Sequence, residues 1–561
     1  MGIFVGIDLG TTYCAAAFVD GYGECIVIPL SDDSQTMPSN VYYAPTSTIV
    51  GQKAKDYSLL HPNNYNQQNY VSFIKRHMGE KNYRVTTAYN DSYTPQEVSA
   101  QILANIKNRI MSFTNQSIDG AVITVPAYFN DLCRASTENA ATIAGIKVLE
   151  IINEPTAAAI AYHFDNPDSE NQTIAVYDYG GGTFDVSILK IQSGNIQVLA
   201  TCGCCTGGYD IDGLIVEYLI DRLKEKNVYV QENSPAYNNL WALAEKAKIQ
   251  LSDKANISIP FSDYGLSIDL NRDDFEDMIY PLLSDTIGIF CDALQSVDLQ
   301  FHDIDKLIFV GGSTKIPYLE SLIKEETGSR FDIVKDIDPD KAVAIGAAFK
   351  AYSISHRQMA NSQDSKRNVL NIGVAAYDEK EAQKKREFIQ YIMDTFLKKD
   401  ESDVIQDSQK MPHFSLQDVV SNSIGVMALD EDTRKQINCI VLEKNTPVPA
   451  VANRDFTTIM AYQPHLEITV TQTLMQGEEA NDLSYATVIG NAMINLKPRN
   501  KLIPIRVTIS CDCNGLIHLK AYDLDLQQDI GEVNIDRGNN ILDRNEATRA
   551  SMTVNKKKIV D

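Results

Sequence analysis

Apolar positions along the chain follow two regimes. Up to about residue 352, short β-rich apolar runs alternate with stretches of helical spacing, which predicts an α/β architecture of sheets covered by helices. Phe4-Val5-Gly6-Ile7 and Ala15-Ala16-Ala17-Phe18 flank one polar turn, and Thr173-Ile174-Ala175-Val176 and Val186-Ser187-Ile188-Leu189 flank another. Residues 121–126 read as a buried strand closed by Pro126. Thr94-Pro95-Gln96-Glu97 carries an N-cap, a first-turn proline and a glutamate at the third position, and Val98, Ile102 and Ile106 continue the helix. A second helix is expected over 134–144 with a turn at Gly145, and a third starts at Asn153-Glu154-Pro155, holding Glu154 at its N-terminus. After Tyr352 the segment 353–368 is polar, 369–376 is mostly apolar, and 378–399 places Phe388, Ile389, Ile392, Met393, Phe396 and Leu397 on one helical stripe. Residues 402–411 are polar and acidic. Beyond 421, alternating runs at 439–442, 455–461, 466–472 and 505–509, with turns at Asn445-Thr446-Pro447 and Asn514-Gly515, predict a β-sandwich. A short helix fits 543–552, and Lys556-Lys557-Lys558 reads as a solvated tail.

At 561 residues the chain exceeds one hydrophobic core and should divide into roughly three or four units. Fifty basic residues against 74 acidic give a net charge of −24, which disfavours nucleic acid and anionic membrane surfaces and points to protein and nucleotide partners. Neither a leader pattern nor an apolar run of spanning length is present, so a cytoplasmic location is expected. The ten cysteines are scattered, as reduced thiols are. Cys202-Gly203-Cys204-Cys205 is the exception; its spacing suits oxidation or a metal, against the plainer reading of reduced thiols.

Two turns carry the candidate chemistry: Asp8-Leu9-Gly10-Thr11-Thr12 and Asp178-Tyr179-Gly180-Gly181-Gly182-Thr183. Glycines permit positive φ and a close backbone approach to an anion, while a flanking carboxylate can hold a hydrated cation. Each is a phosphate loop without a Walker lysine, and two of them suggest an internal repeat.

Further stretches follow in order: residues 121–131 (AVITVPAYFND), 151–159 (IINEPTAAA), 245–252 (EKAKIQLS), 310–317 (VGGSTKIP) and 338–348 (DPDKAVAIGAA). Together with the two turns they resemble the DnaK-type (heat-shock-seventy) chaperones, and residues 507–523 resemble the hairpin that ends that family's peptide-binding β-domain. The resemblance implies an α/β, actin-like two-lobed ATPase domain at 1–355. An atypical helical region at 356–413, a linker at 414–420, an all-β sandwich peptide-binding domain at 421–537 and a short tail without helical lid at 538–561 complete the expected order. It implies ATP, Mg²⁺ and K⁺ as cofactors. Asp8, Asp178 and Asp185 would serve the metals with Tyr13, and Lys75, Glu154, Asp178 and Thr183 the catalysis. Gly10, Thr11, Thr12, Gly180, Gly181 and Gly182 would contact phosphates. Glu245, Lys248 and Ser252 would face Gly312, Ser313, Lys315 and Asp340 across the adenosine. Pro126 and Arg134 would relay nucleotide state, and Leu429 and Leu466 would line the peptide cleft, simple core packing being the alternative for both. Unfolded polypeptides, a J-domain co-chaperone and a nucleotide exchange factor are the implied partners.

The chain departs from the family at four places. Lys315 stands where many relatives have arginine, Ser415 and Gln417 make the linker less apolar, and the long lid is missing, which implies fast peptide exchange. Gly203-Cys204-Cys205-Thr206 replaces an acidic loop and is one residue shorter, which would slow hydrolysis or make it redox-sensitive. The expected function is an ATP-dependent chaperone for extended apolar peptides. The alternatives are a nucleotide-binding scaffold with little turnover that uses the 378–399 helix as its interaction surface, and a small-molecule kinase of the same fold.

Overall fold

The computed structural model describes residues 2–60, 68–166, 171–232, 234–328, 331–335, 337–361, 414–430, 433–533, 535, 547, 550–551 and 558–560. The helical stripe at 378–399 and the acidic stretch at 402–411 lie outside them. Two sheets share one strand order. The first runs Val148–Asn153, Ile118–Val125, Ile3–Asp8, Tyr13–Val19, Cys25–Val27; the second runs Asp332–Val334, Lys306–Val310, Gln172–Tyr179, Phe184–Gln192, Asn195–Cys204. In both, the central strand pairs in parallel on one side and antiparallel on the other, so the repeat suggested by the twin turns extends to whole sheets. Asp8 ends the central strand of one sheet and Asp178 is the penultimate residue in the other.

Local sequence explains the covering helices. Pro95–Thr114 starts with a complete capping box: the Glu97 N–H donates to Thr94 Oγ1 at 3.2 Å, and the Thr94 N–H donates to the Glu97 carboxylate at 2.8 Å. Asp131–Ile143 is capped by Asn130 and begins three residues earlier than the apolar spacing suggested. Ala342–Asn361 continues past residue 355, the expected end of the ATPase region. The polar composition there reflects a helix gaining a wet face, since Ala351 and Ser355 remain buried.

The second half is a sandwich of two four-stranded antiparallel sheets. One is ordered Gln436–Leu442, Ser423–Leu429, His465–Thr473, Thr487–Asn495 and the other Ala450–Thr457, Pro504–Cys511, Ile517–Asp523, Gln528–Val533. Along Pro504–Cys511, Ile505, Val507 and Ile509 are buried between outward-facing neighbours, which fixes the register. The strand expected over 455–461 lies instead at Ala450–Thr457, leaving Ile459, Met460 and Tyr462 more than half exposed in the following turn.

Two expectations are corrected. Leu466 packs against the sandwich core while Leu429 is 40% exposed at the end of its strand, so the two leucines do not line one surface. Continuing the register Val426↔Val470 places them on opposite faces of the sheet. The lysine-rich tail is not simply solvated: Lys558–Val560 forms a strand parallel to Ser47–Val50, and Ala547 is fully buried in the core under the first sheet. Backbone pairing by Ile559 and Val560 decides this, and a charge count does not register it.

Candidate functional site

The two turns meet in a cleft between the sheets, where Asp178, Asp185, Glu154 and Lys75 are buried and Asp8 is partly buried. Burial, reinforced by the Glu154 carboxylate, pushes Asp8 up to about 7, although Lys75 and a 3.1 Å hydrogen bond from Thr124 oppose the rise. Burial first, then the Glu154 charge, also holds Asp178 and Asp185 well above the usual carboxylate range. Lys75 is ion-paired with Glu154. Burial works against its ammonium, but Glu154 and Asp8 outweigh that and raise its pKa. The Lys-Arg pair at 75–76 is thus split: Lys75 lies inside and Arg76 at the rim.

The glycines do not use positive φ, one of the two freedoms expected of them. Gly180, Gly181 and Gly182 are not among the residues with positive φ. A Cβ on Gly181 would collide with the Thr12 side chain and one on Gly182 with Thr11, so they are glycine because the two turns press together. Thr11 Oγ1 and Asp185 Oδ2 are buried without a hydrogen-bond partner. Such orphans, beside four carboxylates that share the single ammonium of Lys75, fit a bound hydrated cation with a polyphosphate. Among the described residues no three His, Cys, Asp or Glu side chains converge as a metal site, so this donor set suits a cation held through water and phosphate.

Next to the cradle, Ser313 Oγ donates to the Gly180 carbonyl at 2.8 Å and Lys248 Nζ to the Gly208 carbonyl at 2.9 Å. Lys315 pairs with Asp340 at 2.5 Å beside Gly312. Ser252 Oγ donates to the Lys248 carbonyl at 3.3 Å, within its own helix. Tyr13 is 43% exposed at the edge of the first turn. Sequence reasoning missed two partners here. Lys55 bonds Glu245 at 2.6 Å, joining the two halves across the cleft, and Asp212 pairs with Lys248 at 2.8 Å. The Lys55–Glu245 pair is 190 positions apart and left no periodic signal.

Asp212 supplies a pH test. Burial raises its carboxyl from 3.8 to about 6 despite Lys248, so between those values the folded protein holds a proton that the unfolded chain has released. Raising the pH through that window therefore costs stability, up to about 3 kcal/mol. In urea unfolding of nucleotide-free protein, the stability of wild type relative to Asp212→Asn is expected to fall by about 2 kcal/mol from pH 4 to 6.5; a pH-independent difference would refute the assignment.

The shortened cysteine loop is anchored by Arg76. Its Nη2 donates to the Cys205 carbonyl at 2.7 Å, Nε to the Cys205 thiol at 3.1 Å, and it pairs with Asp210 at 3.2 Å while lying over the Tyr209 ring. The loop sits against the third glycine of the second turn, where the Cys205 thiol reaches the Gly182 carbonyl.

The sandwich is docked on the lobes. Linker strand Ser415–Gln417 adds in parallel to Asn195–Gln197, at the edge of the second sheet. Phe414 is 5% exposed and meets Phe164 edge-on at 5.4 Å, and Phe164 stacks on Phe349 at 3.9 Å. This aromatic clasp offsets the polar Ser415 and Gln417. Phe414→Ala is expected to weaken linker docking by about 3–5 kcal/mol. Faster protease cleavage within 414–420 would show the loss, and unchanged cleavage would contradict it.

Arg134 joins the parts. Its guanidinium donates to the Phe129 carbonyl at 3.0 Å, to Asn153 Oδ1 at 2.6 Å, to Ser421 Oγ at 3.3 Å and to the Asn514 carbonyl at 3.4 Å. Gly515, at φ +77° beside that guanidinium, leaves it room. Asn153 Nδ2 in turn donates to the Asp418 carboxylate of the linker at 3.2 Å. Pro126 is buried just ahead of this contact, and its carbonyl accepts from the Phe129 N–H at 3.1 Å.

No helix among the described residues is long and apolar enough to cross a membrane. A family model described as Hsp70 protein matches residues 4–363 and 401–561, leaving unmatched the stretch that carries the 378–399 stripe. With an actin-like ATPase region, a β-sandwich and this match over nearly its whole length, the chain belongs to the Hsp70 protein family.

Proposed function

We propose that this protein is an ATP-dependent chaperone that binds extended apolar peptides under the control of the nucleotide cleft. The observation that carries the reading is one short connection. Glu154, paired with Lys75 in the cleft, follows directly on Asn153, which bonds both Arg134 and the linker Asp418. A change in what Glu154 faces is therefore one peptide unit away from the sandwich contact. Bound Mg²⁺ would neutralise phosphate charge. Asp8 and Asp178 would hold its waters, and Thr11, Thr12 and the Gly180–Thr183 turn would donate to phosphate oxygens. Lys75, oriented by Glu154, would place its ammonium on the transferring phosphoryl group and the attacking water. Glu245 and Lys248 on one wall, and Gly312, Ser313 and Lys315 with Asp340 on the other, would enclose the nucleoside. On the sandwich, Leu429, Ile459, Met460 and Tyr462 are exposed and would offer apolar contacts to an unfolded segment.

The test is phosphate release with and without an apolar heptapeptide, combined with peptide affinity measured in ATP and in ADP. The reading fails if the protein neither hydrolyses ATP nor changes its peptide affinity with nucleotide. A scaffold role is favoured only by the unmatched stretch at 364–400. Deleting 378–399 would then abolish a protein contact and leave peptide binding intact.

A further inference from the structure

The strand Ser47–Val50 sits at the outside of a small sheet ordered Ser47–Val50, Val41–Tyr43, Tyr70–Val71, and its free side is covered only by Lys558–Val560 among the described residues. Its residues, Ser47, Thr48, Ile49 and Val50, include no charge and no proline, the features by which an edge strand ordinarily repels pairing. Such an edge accepts a strand. The occupant is paired in register, Lys558 with Ser47, Ile559 with Thr48 and Val560 with Ile49. Ile559 packs on the core under the first sheet, as does Ala550, and Ala547 is fully buried within it. Ile535 still belongs to the core of the sandwich. The chain thus changes cores between residues 535 and 547, a span of about 40 Å when fully extended.

We propose that Ser47–Val50 is a strand-accepting site and that this chain's own segment 558–560 fills it as a latch, holding the sandwich against the ATPase lobes from the end opposite the linker. The sandwich is then moored twice: at Phe414–Gln417 on the second sheet and at residues 547–560 beside the first. Undocking requires the latch strand to unpair, or the tether from residue 535 to extend. An extended segment from another chain can take the same edge only after the latch has left it.

The inference stands on these contacts and not on ATP control, so its test is run in nucleotide-free full-length protein. Amide hydrogen exchange is followed at Thr48–Val50, and interdomain distance by paired labels on the first lobe and the sandwich. Ile559→Pro removes a backbone donor and the apolar anchor. It is expected to raise exchange about tenfold and to lengthen the distances. Ile559→Ser keeps the backbone intact and tests the anchor without risk to folding, with an expected rise of about threefold. Lys558→Ala leaves both measures unchanged. A synthetic peptide of residues 555–561, added to Ile559→Pro, restores protection. Unchanged exchange in both Ile559 variants, raised exchange with unaltered distances, or no protection by the peptide would each overturn the proposal. Loss of ATP turnover would overturn the proposed function and leave the latch standing.

Discussion

Lys75→Ala is expected to lower ATP turnover roughly a hundredfold to a thousandfold while nucleotide still binds. Lys75 is the cation paired with Glu154 inside a cleft that also buries Asp178 and Asp185 and holds Asp8 at its edge, partly buried. Removing it deletes the donor aimed at the transferring group and leaves its carboxylate partner unpaired. The surviving walls, with Lys248 on Gly208 and Ser313 on Gly180, do not depend on it, so affinity should fall far less than rate. Single-turnover phosphate release, read beside calorimetric ATP binding, separates the two. Unchanged turnover would remove Lys75 from the mechanism. In nucleotide-free protein the same change should also lower the unfolding temperature, because a buried pair broken on one side costs about 3–5 kcal/mol.

The second large effect is expected for Arg134→Ala. Burial works against the Arg134 charge and lowers its pKa, with Asp418 opposing, so the guanidinium stays in place through its hydrogen bonds to Phe129, Asn153, Ser421 and Asn514. Two of those partners lie on the lobes and two in the sandwich half. Truncation leaves Asn153 Oδ1 and the Phe129 and Asn514 carbonyls short of a donor and takes a positive charge away from the neighbourhood of the buried Asp418, at a cost to the docked arrangement of about 3–5 kcal/mol. Peptide should then cease to alter ATP turnover, while basal turnover remains measurable. Arg134→Lys should not restore the coupling, because one ammonium cannot span carbonyls and amides on both sides. Retained peptide stimulation in Arg134→Ala would contradict this role.

Legibility in the sequence followed the range of the interaction. The capping box at Thr94 and Glu97, the two aspartate turns and the alternation through Ile505, Val507 and Ile509 are local, and each could be read from spacing. The position of Lys75 came from resemblance, since nothing in Ser72–Arg76 distinguishes a buried lysine from a solvated one. Lys55 with Glu245, Arg76 with Cys205 and Phe414 with Phe164 join residues more than a hundred positions apart, and such pairs leave no period. Of the two reasons given for glycine in the second turn, positive φ is absent, and close approach is met at Gly181 and Gly182 by Thr12 and Thr11, neighbours that the local sequence does not show. The tail was misread because three lysines mask the backbone pairing of the two apolar residues that follow.

The shared strand order of the two sheets has a mechanical consequence. Asp8 and Asp178 stand at matching ends of two like halves, one the last and the other the penultimate residue of its central strand. Two matched jaws that meet at their tips behave as callipers: a small rotation of either half changes the gap between the tips directly, with no loop needed to transmit it. What such an instrument measures is the length of the object gripped. A phosphate chain one unit shorter would therefore register as an angle between the halves, and the linker strand, fastened to the outer edge of one jaw, is placed to be carried along by that angle.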